Sequence, residues 1–373
     1  MSVSALALSP LARGLFQKVI IQSGVASSKT LIVQNPETYL YRWADQVGCK
    51  PRFYFPGATR LYHENIRDCL MRLDASKLTA EARLSDGDFF ATGLFAGGFL
   101  SPTVDGEVLP RMPRALLSDE NYLRQNGVLD RSYVIGVTNN DAGLMADIIS
   151  FIPGRPYFLL TDPSRVAERV KAAAKTQFEG EPSKEMLNVI DFVYTYPRNP
   201  DGSIPLQNVM DLTLDGAFLL PSLVFARALA DKAPVYFYLF DHYPQLKSNS
   251  LFKGTSHAMD NIYLFDRPED PSINLSFYAN VFTAESEPIP AVYRSVLTSF
   301  AKNDAPTFTT ASSTSAAWPR YDSRRKAYLA ISTEPEVRTG VYAQRVSLWL
   351  DFLPKLARTS GFFSTGSGRA AYD

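Results

Sequence analysis

A chain of 373 residues with 46% hydrophobic and 12% aromatic content can bury one large or two medium cores, and it is too apolar for pervasive disorder. Lys plus Arg and Asp plus Glu are equal at 38 each, so no net field draws nucleic acid or an anionic membrane surface, and small neutral substrates or protein partners are expected. No apolar run approaches the roughly 20 residues of a bilayer span, so no transmembrane segment is expected, and the N-terminus lacks the basic start and apolar core of a signal peptide.

The first segment, MSVSALALSP, repeats Val3, Leu6 and Ala7 at helical spacing before Pro10, and no residue ahead of Ser2 could cap that helix. It reads as the middle of a longer pattern. KVIIQSG, from Lys18 to Gly24, is a short β-branched strand, and YLYRWADQVG, from Tyr39 to Gly48, has helical periodicity with a Gly stop. RSYVIGVTNNDAG, from Arg131 to Gly143, is a second strand of the buried type and ends in a polar Asn-Asn-Asp cluster. FLLPSLVFARALADKA (Phe218 to Ala233) is helical, and the aromatic strand APVYFYLFDHYP (Ala233 to Pro244) follows it, then a polar loop and GTSHAMDNIYLF. AVYRSVLTSFAKND (Ala291 to Asp304) is a further helix. TTASSTSAA (Thr309 to Ala317) reads as a polar loop, KAYLAIS (Lys326 to Ser332) as a strand, and RVSLWLDFLPKL (Arg345 to Leu356) as amphipathic. This alternation predicts an α/β protein with a mostly parallel central sheet: one domain over residues 1–358, then a loose tail over 359–373.

Chemistry in such sheets collects beyond the C-terminal strand ends, where Asp141 and the loop of His257 fall. His63, His242 and His257 are the three histidines. His257 is the best placed of them for a general base, in a Gly-Thr-Ser loop with an acid three positions on. Taken singly, a loop histidine or an Asp after a strand is more often structural than catalytic. Their order changes the weighing, because an acid after one strand and a histidine after a later one are the second and third members of the Ser, Asp/Glu, His order of α/β-hydrolases. The first member, Gly-x-Ser-x-Gly, does not occur in the sequence; Ser23 and Ser367 lack its glycines. Cys49 and Cys69 read equally as a disulfide or as two buried thiols, and metal binding by two lone thiols is not expected. Asn274, in NLS, is a glycosylation sequon.

Several segments in order, SVSALALSPLARGLFQKVIIQSG, ADQVGC with a later CL, SPTVDGEVLP, GVTNNDAG, VYFYLF, GTSHAMDNIYLF, WPRYD and LWLDFLPKL, resemble the type-B carboxylesterases and cholinesterases, and among them most the bile-salt-activated lipases. The resemblance covers essentially the whole chain and implies an α/β-hydrolase fold. In the family the nucleophile elbow reads Gly-Glu-Ser-Ala-Gly-Gly-x-Ser-Val, whose last two residues match Ser2 and Val3. The resemblance therefore implies a chain truncated at its N-terminus just after the elbow, with the nucleophilic serine four residues before Met1 and the glycine-rich oxyanion loop further upstream.

The same resemblance makes His257 the general base and Asp141 the acid that fixes its tautomer, where many relatives have Glu. It makes Ser23 a hydrogen-bond partner supporting both, pairs Cys49 with Cys69, and places the full-length protein in the secretory pathway. The Cys49–Cys69 loop is longer than the family pattern suggests. After QSG, relatives with a tight acyl pocket often carry an aromatic residue where this chain has VASSKTLI with Lys29 and Thr30, which argues against a cholinesterase-type pocket. The implied activity is hydrolysis of a small-molecule or lipid carboxylic ester, with no cofactor and no metal, and the chain as given is expected to be inactive. The rival expectation is an adhesion or binding module of the same fold without catalysis.

Overall fold

Three runs of β-branched and aromatic residues become neighbouring parallel strands: β1 (Lys18–Gln22), β2 (Ser132–Thr138) and β3 (Val235–Phe240). The computed structural model describes residues 1–29, 32–33, 36–53, 57–81, 102–143, 158–178, 181–244, 253–265, 284–310 and 312–359. Asn274, Thr30, Ser367 and the tail from residue 360 lie outside them. Two short strands, β4 (Thr307–Thr309) and β5 (Ser315–Ala317), form a separate antiparallel hairpin, so the segment expected to be a loop is in part paired. Strand β6 (Ala327–Ile331) adds to β3 in parallel, and β7 (Glu336–Thr339) closes the order β1-β2-β3-β6-β7 antiparallel to β6.

All six residues of β3 and all five of β6 are buried, as expected of parallel strands covered on both faces. On one face Tyr236, Tyr238 and Phe240 meet Tyr263, Tyr293 and Phe300, with Trp318 at the edge. Tyr133 packs on Phe225 from the helix Leu220–Leu229. Gly136 sits in the middle of β2 because a Cβ there would lie 2.2 Å from the Tyr238 ring. Among the described residues β1 pairs only with β2, so it forms one edge of the sheet. Lys18, at its start, donates to the carbonyls of Phe300, Ala301 and Asn303.

The chain divides into two compact units, residues 1–28 with 106–373, and residues 29–105. In the second, the helices Pro36–Gln46 and Thr59–Leu70 pack Ala44, Val47, Tyr62 and Ile66 together, and a disulfide joins Cys49 to Cys69. The long intervening loop is compatible with that bond because most of its second half is the helix Thr59–Leu70, which carries Cys69 back until the two Cα atoms are 5.5 Å apart.

One stretch needs correction against the sequence reading of apolar runs. Leu206–Leu229 is a continuous helical run long and apolar enough to cross a bilayer by length and composition, yet 72% of its most apolar window is buried inside the protein, so it is a core helix. It is not uniform: a π-turn over Asp215–Leu219 separates Leu206–Leu214 from Leu220–Leu229. A second π-turn, Leu348–Phe352, interrupts the C-terminal amphipathic stretch. Between them lies a buried polar cluster. Arg345 donates to both oxygens of Asp215 (2.7 and 3.2 Å) and to Asp211 (2.8 Å), while Tyr194 donates to Asp215 and accepts from the Trp349 indole at 2.8 Å.

Candidate active site

Strands β2 and β3 end in register at Thr138 and Phe240, and β1 ends two residues earlier opposite Gly136; hydrogen bonding continues one residue past the strand ends, from Ser23 N–H to the Gly136 carbonyl and from Asn139 N–H to that of Phe240. This is the rim on which loop side chains can converge. After β2 the chain turns tightly, and the Asp141 carboxylate folds back to accept from the Thr138 N–H through Oδ2 at 2.9 Å. Its other oxygen, Oδ1, lies 2.9 Å from Nδ1 of His257, which arrives 116 residues later on the loop after β3. Asp141 is fully buried, and the His257 side chain keeps 26% of its surface exposed. Such a pair holds the imidazole with Nδ1 protonated, the tautomer in which Nε2 is the nitrogen that can take a proton.

The surroundings define the histidine further. The Phe218 ring, from the first π-turn, lies 5.0 Å from the imidazole at 39°. Burial lowers the affinity of His257 for a proton, but the hydrogen bond and charge of Asp141 and the charge of Asp260 outweigh it, leaving the pKa raised above 6.5 despite the nearby Met1 amino group. Ala258, directly after it, has φ +67°, a left-handed conformation that an L-residue holds only where its neighbours fix it.

Asp260, the acid three residues beyond His257, is not exposed to solvent but buried beneath it. Its Oδ2 accepts from Gln22 Nε2 at 3.2 Å and from the Tyr293 hydroxyl at 3.1 Å, and Tyr293 in turn meets Tyr238 at 3.1 Å. Burial, with the Asp141 charge behind it, pushes the Asp260 carboxyl up to about 6. Phe218, Gln22 and Tyr293 were not legible as site residues, because each sits in an apolar or β-branched run that signals only core.

The remaining expected residues fall differently. Ser23, at the end of β1 with φ +47°, is buried, and its hydroxyl has no hydrogen-bond partner among the described residues, so it bonds to neither Asp141 nor His257. His242 lies away from Asp141: its Nε2 meets the Ser286 hydroxyl at 2.8 Å, its ring packs edge-on to Tyr263, and burial lowers its pKa to about 4. His63 pairs with the Tyr41 hydroxyl in the unit spanning residues 29–105. Among the described residues no three or more His, Cys, Asp or Glu side chains converge as metal ligands do.

A largely parallel sheet with an acid after one strand and its histidine after the next defines an α/β-hydrolase fold. The chain belongs to the carboxylesterase family, whose model matches residues 1–349. It is 27% identical to neuroligin-2 of Rattus norvegicus over 377 residues, covering 95% of this chain and 40% of that protein. It is also 27% identical to the fatty acyl-CoA hydrolase precursor, medium chain, of Anas platyrhynchos (95% of this chain, 57% of that protein), and 26% identical to carboxylesterase 1F of Mus musculus (95% and 58%). The chain thus spans about half the length of the curated relatives it matches.

Proposed function

We propose that this chain is the acid-and-base half of a serine carboxylic ester hydrolase of lipase or esterase type. The observation that carries the reading is the Asp141–His257 contact at 2.9 Å, with Asp141 anchored from below by the Thr138 N–H. In the reaction, a serine hydroxyl adds to the ester carbonyl while His257 Nε2 takes its proton, and the same nitrogen then gives that proton to the departing alcohol. Water, activated by His257 in the second half, releases the acid. Asp141 keeps the imidazole in the tautomer that can do this and stabilises the imidazolium between the two transfers. The 373 residues hold no Gly-x-Ser-x-Gly, so no elbow in these residues supplies the nucleophile, and this chain by itself is expected to be inactive on esters. The disulfide Cys49–Cys69 supports an oxidising compartment, hence the secretory pathway. The fatty acyl-CoA hydrolase and carboxylesterase relatives support an acyl ester or thioester as substrate class.

A second reading, a binding module of the same fold without catalysis, is kept by the match to neuroligin-2. The intact acid–histidine pair favours the hydrolase. The test is hydrolysis of a p-nitrophenyl ester by a longer form of the protein that carries such an elbow. His257→Ala is expected to lower turnover by several orders of magnitude and Asp141→Asn by roughly 10⁴, while His63→Ala leaves it nearly unchanged. Gly or Ala in place of the elbow serine, or full activity in His257→Ala, would refute the hydrolase reading.

A further inference from the structure

The described residues directly ahead of His257, 253–256, lie in no helix or strand, and the Asn-Asn pair directly ahead of Asp141 bonds to them. The Asn139 side chain is buried, and its hydrogen bonds reach the chain that follows β3. Its Oδ1 accepts the Thr255 N–H at 2.7 Å, and its Nδ2 donates to the His242 carbonyl at 3.1 Å and to Asp241 Oδ1 at 3.3 Å. Thr255 completes the ring by donating its own hydroxyl to that same His242 carbonyl at 2.7 Å. Asn140 Nδ2 donates to the Lys253 carbonyl at 2.9 Å. The chain passes so close to Asn139 that residue 254 must be glycine: its φ is +105°, and a Cβ would stand 2.7 Å from Asn139 Oδ1.

We infer that Asn139 and Asn140 are positioning residues, a clamp that fixes the backbone of residues 253–255 against the Asp141 turn and so sets the Asp141–His257 contact. The inference rests on the reading of His257 as the base. Acid and histidine are 116 residues apart in sequence, and each is carried by a separate loop. The clamp joins those two loops mainly through side-chain amide to backbone bonds, in which the amide does not titrate. A single turn thus carries both the acid and the groups that register its partner, so a displacement of one is transmitted to the other. An asparagine suits this role because its amide offers an acceptor and two donors in one plane, matching one N–H and two oxygens on the opposing strand exit.

The test reads the contact itself in the 373-residue chain, where only three histidines give ring signals. With labelled histidine, the Nδ1 proton of His257, assigned by its loss in His257→Gln, is expected as a downfield, slowly exchanging resonance, and the ring titrates above 6.5. Asn139→Ala and Asn140→Ala are each expected to broaden or abolish that resonance and to move the His257 titration back toward its ordinary value. Ile190→Ala, in the remote core, serves as the control of general destabilisation. A wild-type resonance and titration in Asn139→Ala or Asn140→Ala would overturn the inference, as would equal loss in Ile190→Ala. Should Asn139→Ala fail to fold, Asn140→Ala is read by the same criterion. No ester is used, so failure of the hydrolase reading and failure of the clamp are separate results.

Discussion

His242 offers the sharpest test of the electrostatic reasoning, because its burial has a calculable consequence for stability. His242 is 5% exposed, its ring bonds to the Ser286 hydroxyl, and burial lowers its pKa from 6.5 to about 4. In the unfolded chain the same imidazole binds a proton below about pH 6.5, so between the two pKa values the unfolded state holds more protons than the folded one. Stability from this group is therefore complete above pH 6.5 and lost as the pH falls toward 4. The full loss is about 3 kcal/mol, of which about 2 kcal/mol is gone by pH 5. His257, with its pKa raised, acts in the opposite sense: its contribution is present below 6.5 and fades as the pH rises through its folded pKa. Asp260 and Asp215, both raised to about 6 by burial, also favour the folded state at lower pH, so the overall pH profile mixes signs. The comparison with His242→Gln isolates the one group. Urea unfolding at pH 7 and pH 5 is expected to show wild type losing about 2 kcal/mol more than the variant between the two pH values. Equal losses in both proteins would refute the claim that His242 is buried neutral.

Arg345→Met leaves the fully buried Asp215 beside Asp211 without its cation and is expected to cost about 3–5 kcal/mol, read as a fall in the urea midpoint. A change below 1 kcal/mol would mean that the cluster between the two π-turns does not carry a buried charge. Cys49→Ser with Cys69→Ser opens a loop of 20-residue separation, and the chain-entropy relation puts the loss near 3 kcal/mol. Limited proteolysis should then cut first within residues 29–105, and an unchanged cleavage pattern would count against the disulfide as the tie of that unit.

Strand identity in this protein was a local matter. KVIIQ, SYVIGVT and VYFYLF are each rich in β-branched or aromatic residues; the last two are buried almost throughout while KVIIQ alternates buried and half-buried residues, and this composition, alternating with helical segments, reads as a mostly parallel sheet. The positions of Asp141 and His257 beyond their strands follow from the same pattern, which is why the pair could be named before any distance was known. Glu336–Thr339 left no such trace: all four residues are exposed, and it pairs only because β6 lies beside it. The hairpin of Thr307–Thr309 with Ser315–Ala317 is likewise too polar and too short to declare itself. The π-turn at Asp215–Leu219 lies within a stretch whose periodicity says only helix, and it is Arg345, 130 residues away, that satisfies the acid buried there. The arrangement of the site has the same character. An Asn-Asn-Asp run after a strand reads as a turn, and nothing in it announces that Asn139 will meet Thr255 or that Asp260 will find Gln22 and Tyr293. Burial patterns are written along the chain with the period of the strand or helix, whereas a polar side chain's partner is chosen by whichever donor or acceptor folding brings within about 3 Å, and that depends on the tertiary structure alone.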